Sequence, residues 1–238
     1  MSALFTYYAE DGYYSLTGAG TALFIAITVI LIVLVAFVKK AVVKDTAVPE
    51  ESEHTGSSFF SVKQLIFSAV ALAIAFVLSY IKIIHMPWGG SVTLCSMLFV
   101  VLIGYWYGPK IGLTCALAYG ILQFIQGGGG YILSPMQVAF DYILAFMALG
   151  LSGFFQKKNG LIIGYVVSIV FRGLFHSIGG YIYWMDYMPE NFPSSLAAVY
   201  PICYNFAYIL LEGLITIILI QLPPVKSALA KVKQLATE

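Results

Sequence analysis

Seven long runs nearly free of charge divide this chain, at about 17–38, 62–84, 91–107, 110–127, 133–155, 160–182 and 197–222. A helix needs roughly 20 predominantly apolar residues to cross the hydrocarbon core of a bilayer. In lipid every backbone polar group must be satisfied within its own segment, so continuous runs of this length imply helices and not barrel strands. Composition agrees: 61% of the 238 residues are hydrophobic and 10% are charged, whereas soluble domains are about half apolar and about a quarter charged. The expected fold is an all-α membrane protein with one membrane domain.

The runs set the expected organisation. Residues 1–38 read as an extracellular N-terminal segment and a first transmembrane helix. The first twenty residues carry Glu10 and Asp11 and no positive cluster of the kind that opens a secretory signal, so this helix is read as uncleaved. Residues 39–61 form a polar cytoplasmic linker, 62–222 a six-helix membrane domain, and 223–238 a cytoplasmic tail. Lys39, Lys40, Lys44, Lys63, Lys110, Lys157, Lys158, Lys226, Lys231 and Lys233 all fall on one side if the first helix runs inward, and only Lys82 falls at an outer end. Cytoplasmic loops carry the excess of Lys and Arg, so this asymmetry places the N-terminus outside and the C-terminus in the cytoplasm. The outer loops are then His85–Gly90, Gln126–Tyr131 and Tyr183–Leu196.

Several chemistries find no support in the residues. A net charge of +1 without a basic cluster gives no reason to expect a nucleic-acid partner. Cys95, Cys115 and Cys203 lack CxxC spacing and read as packing residues, and no metal or cofactor is expected. GxxxxGK[ST], HExxH and GxSxG are all absent, so the chain is read as neither an ATPase nor an enzyme. If it transports, its energy comes from another subunit.

Asp141 lies in the middle of the apolar span 131–155, where an ionised carboxylate costs roughly 2.5–3.5 kcal/mol on insertion scales unless something meets it. At 1.5 Å per residue it sits roughly 10 Å below the outer surface. Arg172 reaches a similar level, His176 is about one turn higher, and Tyr200 and Asn205 descend from the third outer loop. Trp88, Tyr131 and Trp184 stand in or beside the three outer loops. An acid among tryptophans and tyrosines suits a ligand that is both cationic and aromatic, because a cation over an indole face adds roughly 0.5–2 kcal/mol. Blander readings stand beside this one: Arg172 is the candidate partner of the carboxylate, His176 fits a packing role, and the large aromatics fit an interfacial belt. Glu212, deeper in the last span, is read as closing a polar network with Arg172 or facing a partner subunit. Ala69/Ala73 and Ala71/Ala75 each form a small-xxx-small pair, which lets another helix approach closely.

The segments HMPWGGSVTL (85–94), GGYILSPMQVAFDYILAFMALGLSGFF (129–155), FRGLFHSIGGYIYWMDYMPE (171–190) and VYPICYN (199–205) resemble the thiamine-specific S components of energy-coupling-factor (ECF) vitamin transporters, the ThiT or YuaJ family. The resemblance runs from about Ser61 to Lys233. It implies a six-helix S-component bundle, here with one extra N-terminal helix, in a bacterial plasma membrane. It also implies thiamine captured from outside, a membrane coupling subunit, EcfT, and two ATPase subunits that hydrolyse the ATP. Carried over by position, it assigns ligand contacts to Asp141, Tyr142, His176, Trp184, Tyr200, Asn205, Trp88 and Tyr131, and the coupling-subunit face to Ala69 and Ala73. An asparagine that some members place in the first outer loop has no match here: Ile83 stands there, with His85 nearby. That departure leaves another vitamin or a thiamine precursor as the alternative ligand, and a stand-alone proton-coupled carrier as the alternative mechanism.

Overall fold

The structure, a computed structural model, describes residues 5–8, 13–22, 26, 60–157 and 159–238. Most of the expected first span, nearly all of the linker 39–61, and Lys158 lie outside the described residues. Near the N-terminus, β1 (Phe5–Tyr8) and β2 (Tyr13–Leu16) pair antiparallel.

The membrane domain opens with α1 (Val62–Tyr80). Ser61 and Gln64 start it with a capping box: Ser61 Oγ accepts from the Gln64 N–H at 3.2 Å, and Gln64 Oε1 accepts from the Ser61 N–H at 2.9 Å. Two orphan N–H groups are thereby satisfied reciprocally. A hairpin follows, β3 (Lys82–His85) against β4 (Ser91–Thr93), turned by Gly89 and Gly90 at φ +96° and +75°. The sequence predicts an outer loop at His85–Gly90 and a span beginning at 91. The structure instead spends 91–93 on a strand, and α2 runs only Ser96–Tyr107. Gly108, at φ +86°, breaks the chain between α2 and α3 (Pro109–Gln123). The latter continues into a π-helical turn, Phe124–Gly128.

The next span, α4 (Pro135–Phe154), changes pitch along its length. It is α-helical at Pro135–Val138, π-helical at Ala139–Leu144, and 3₁₀-helical at Ala148–Phe154. Then come α5 (Gly160–Tyr183) and α6 (Tyr200–Gln221), joined by a loop with two short 3₁₀ turns. The expected tail is a helix as well, α7 (Pro223–Thr237). It folds back on the bundle, where the Tyr107 hydroxyl donates to Ala236 O at 3.2 Å and Lys233 Nζ lies 4.0 Å from the Tyr105 ring centre.

Among the described residues, four helical segments are long and apolar enough to cross a membrane: 62–80, 135–154, 160–187 and 194–221. Two shorter helices, α2 and α3, complete the bundle. Small residues hold its centre. A Cβ on Gly112 would meet Gly104 Cα at 2.7 Å and Gly150 O at 2.9 Å, so three helices approach at backbone contact. Close approach of this kind is how helices associate where lipid offers no hydrophobic drive.

Glu212 supplies a connection that its position in the sequence did not suggest. Cys95, ahead of α2, is in the left-handed conformation and gives no side-chain cap. The cap comes from α6 instead: Glu212 accepts from the Thr93 N–H (2.9 Å), the Thr93 hydroxyl (2.7 Å) and the Met97 N–H (3.4 Å). It therefore faces neither Arg172 nor a partner. It ties α6 to the hairpin strand β4 and to the N-terminus of α2, where a negative charge is favoured by the helix dipole.

Candidate functional site

At the hairpin end of the bundle, α1, the β3–β4 hairpin, α3, α4, α5 and α6 enclose a cavity of about 760 Å³. That lies within the usual range for small-molecule sites. Asp141, Tyr142, His176, Trp184, Tyr200, Asn205 and Trp88 all line it, as does Arg172. Tyr131 stands behind the wall: its ring stacks on Trp184 at 5.7 Å and its hydroxyl donates to the Tyr187 hydroxyl at 2.8 Å.

Asp141 sits on the π-helical stretch of α4. Such turns widen the helix by one residue and re-aim a side chain, and they recur at functional sites. Its Oδ2 accepts two short hydrogen bonds, from Gln137 Nε2 and from Trp184 Nε1, both at 2.8 Å. Its Oδ1 lies 3.9 Å from His176 Nδ1, too far for a hydrogen bond, and packs against the backbone of Gly179, where any Cβ would come within 2.6 Å. Oδ2 thus takes two hydrogen bonds from the protein, while Oδ1, set between Gly179 and the distant imidazole, takes none among the described residues. The residue itself is 9% exposed.

Arg172 does not pair with Asp141, as the sequence reading had suggested. It is one helical turn from His176, and its Nε donates to His176 Nε2 at 3.4 Å while its guanidinium lies 4.4 Å over the Phe146 ring. The Phe146 ring occupies the guanidinium, and Trp184 and Gln137 fill the donor positions at Oδ2. The cation is therefore a layer back from the carboxylate: Arg172 bonds His176, and His176 stands 3.9 Å from Asp141 without bonding it. Trp184 is likewise more than an interfacial belt residue, since its N–H is committed to a buried acid.

Aromatic rings form the rest of the wall. Trp88 meets Phe192 edge-on at 4.9 Å, Phe192 meets Tyr200 at 5.0 Å, and Tyr200, Tyr204 and Tyr208 follow at 5.7 and 5.9 Å. Tyr204 and Tyr208 were missed in the sequence, although their four-residue spacing from Tyr200 puts all three on one helical face. Gly89 and Gly90 seat the hairpin on this ladder. A Cβ on Gly90 would come within 2.5 Å of the Tyr208 ring, so the turn needs glycine for space as well as for φ. Asn205 donates to Pro201 O (2.8 Å) and accepts from the Tyr208 hydroxyl (3.0 Å). Ile83 is 48% exposed on β3 and does not line the cavity. A partly bonded carboxylate inside a cage of electron-rich rings is an arrangement that attracts an organic cation.

The model of the thiamine transporter protein family, Thia_YuaJ, matches residues 65–232. The chain belongs to that family. The thiamine transporter ThiT of Bacillus subtilis is 34% identical over 161 residues, 61% of this chain and 81% of that protein. The solved structure of ThiT from Listeria monocytogenes superposes with a TM-score of 0.53 at 26% identity, covering 68% of this chain and 94% of that one. The family is one of membrane transporters and not of enzymes. Its match begins within α1, at residue 65, so residues 1–64 fall outside it.

The two alanine pairs of α1 separate cleanly. Ala71 and Ala75 are buried in the bundle at 4% and 0% exposure. Ala69 and Ala73 lie on the outer face with Ile66, Val70 and Val77, all exposed.

Proposed function

We propose that this chain is the thiamine-binding membrane subunit, the S component, of an ECF-type importer, with ATP hydrolysed by partner subunits. The observation that carries the reading is the state of Asp141: a buried carboxylate lining a cavity caged by aromatic rings, with one oxygen bound by Gln137 and Trp184 and the other without a hydrogen bond among the described residues. Thiamine brings a permanent thiazolium cation and a flat aminopyrimidine. The cation offsets the cost of the buried acid, and the rings stack on the Trp88, Trp184 and Tyr200 walls. His176 and Asn205 supply the polar contacts that orient the pyrimidine.

The lysine asymmetry supports an orientation with the cavity mouth outside and α7 in the cytoplasm. The coupling subunit EcfT docks on the outward face of α1 at Ala69 and Ala73, whose small side chains permit close helix contact. Tilting of the bundle against that subunit, driven by two ATPases, then carries the vitamin inward.

The test is a tryptophan-fluorescence titration of the detergent-purified chain. Thiamine quenches Trp88 and Trp184 at submicromolar concentration, while riboflavin and biotin leave the signal unchanged. An unresponsive signal with thiamine rejects the assignment. Liposome uptake separates the mechanisms: a stand-alone carrier works on a pH gradient alone, whereas an S component needs its coupling module.

A further inference from the structure

The cavity has a second polar wall. The carboxylate and the aromatic ladder come from α4, α5 and α6, whereas this wall comes from α1 and α3. Ser79, Gln123 and Gln126 form it, and all three line the cavity. Gln123 Nε2 donates to Ser79 Oγ at 3.1 Å and to Gln126 Oε1 at 3.0 Å. Ser79 Oγ lies 2.6 Å from Phe76 O and 3.0 Å from Gln126 Oε1, and its one proton serves one of them at a time.

The inventory leaves a remainder. Gln123 Oε1 and Gln126 Nε2 make no hydrogen bond among the described residues. Neither is a sealed, orphaned atom, for both side chains are partly exposed and border the cavity. Exchanging oxygen and nitrogen in both amides swaps their roles yet still leaves one acceptor and one donor group. Gln126 rides on the π-helical turn Phe124–Gly128, the same device that aims Asp141.

A neighbouring acceptor and donor match a hydroxyl, which donates one hydrogen bond and accepts another. We infer that Ser79, Gln123 and Gln126 form a hydroxyl-binding subsite for the uncharged polar arm of the ligand whose cation faces Asp141. The inference rests on the proposed function, in which that arm is the hydroxyethyl group of thiamine.

The full chain is titrated with thiamine and with an analogue carrying ethyl in place of hydroxyethyl. The wild type prefers thiamine by about tenfold, the effect of one or two net hydrogen bonds. Gln123→Leu and Gln126→Leu bring the ratio close to one by weakening thiamine alone, and the ethyl analogue serves as the internal measure of folding. Ser79→Ala, which releases the two amides from their common anchor, reduces the ratio partway. A wild type that does not discriminate, variants that keep the ratio, or equal losses for both ligands would each overturn the subsite while leaving thiamine binding itself intact. Thiamine failing to bind the unaltered chain overturns the proposed function, and this inference with it.

Discussion

The indole N–H of Trp184 and the carboxylate of Asp141 are joined at 2.8 Å, across 43 residues of sequence. This bond fixes two parts of the site at once. It holds the indole in the cavity wall, and it occupies the carboxylate oxygen that Gln137 also holds, leaving the other without a hydrogen bond among the described residues. Removing the charge therefore costs more than removing the indole donor. Asp141→Asn is expected to weaken thiamine binding on the order of a hundredfold, equivalent to roughly 3 kcal/mol. Trp184→Phe keeps the ring and loses the donor, so its effect is smaller. Because the two residues share one bond, the double variant loses less than the two single losses added together. Titration of all four forms measures this, and strict additivity would show that the bond plays no part in binding.

The placement of Arg172 behind His176 makes a second, separable prediction. Arg172 touches His176 and Phe146 and does not reach the carboxylate. Arg172→Ala should lower thiamine affinity by less than about tenfold, well below the effect of Asp141→Asn. In a His176→Ala background the same change should have almost no further effect. An Arg172 effect that persists undiminished there would mean that the guanidinium acts on the ligand directly.

Glu212 predicts a stability effect. Its carboxylate accepts from the Thr93 and Met97 N–H groups at the start of α2 and from the Thr93 hydroxyl, which also meets Ser96 Oγ at 2.7 Å. Glu212→Ala strands those donors and is expected to cost about 1–3 kcal/mol, read as a lower unfolding midpoint in detergent. Glu212→Gln keeps an acceptor oxygen and should recover part of the loss. If both variants unfold like the wild type, the cap contributes nothing.

How much of this was legible in the sequence divides by physical cause. Long apolar runs announce helices because lipid admits little else, and α1, α4, α5 and α6 fall where the runs put them. Asp141, His176, Trp184 and Asn205 could be grouped because helical rise converts sequence position into depth. Depth alone does not give azimuth, which is why Arg172 was matched to Asp141 at its own level while its side chain lies on Phe146. The span expected at 91–107 begins five residues late, at Ser96, for another reason. Hydropathy does not distinguish the apolar strand of a hairpin from the first turn of a helix, and Ser91–Thr93 became β4. The helical tail α7 escaped notice because an amphipathic surface helix has no long apolar run. Glu212 was misread because its partners lie 115 to 119 residues away.

Gly90 tests the seating of the hairpin on the tyrosine ladder. Its φ of +75° and the 2.5 Å approach of a Cβ to the Tyr208 ring make Gly90→Ala strained in two ways. Left-handed backbone costs a non-glycine residue about 1–2 kcal/mol before the ring has moved at all. The variant should fold, since α1 to α6 do not depend on this turn, but bind thiamine several-fold more weakly and release it faster. Stopped-flow quenching of Trp88 reads the release rate directly. An unchanged rate would dissociate the hairpin from retention of the ligand.

The outward pair on α1 separates binding from transport. Ala69 and Ala73 share the exposed face with Ile66, Val70 and Val77, whereas Ala71 and Ala75 are buried inside. Ala69→Leu adds bulk only on the outer face, so the cavity is untouched and thiamine quenching should match the wild type. Close helix contact depends on small side chains, and a leucine there holds a partner helix away. Uptake in cells or in liposomes containing the coupling subunit and both ATPases should then fall to background. Ala71→Leu should do the reverse, overpacking the bundle and costing about 1–3 kcal/mol of stability. Normal uptake by Ala69→Leu would move the docking surface to another face of the bundle, since no effect on the cavity could compensate for a blocked contact.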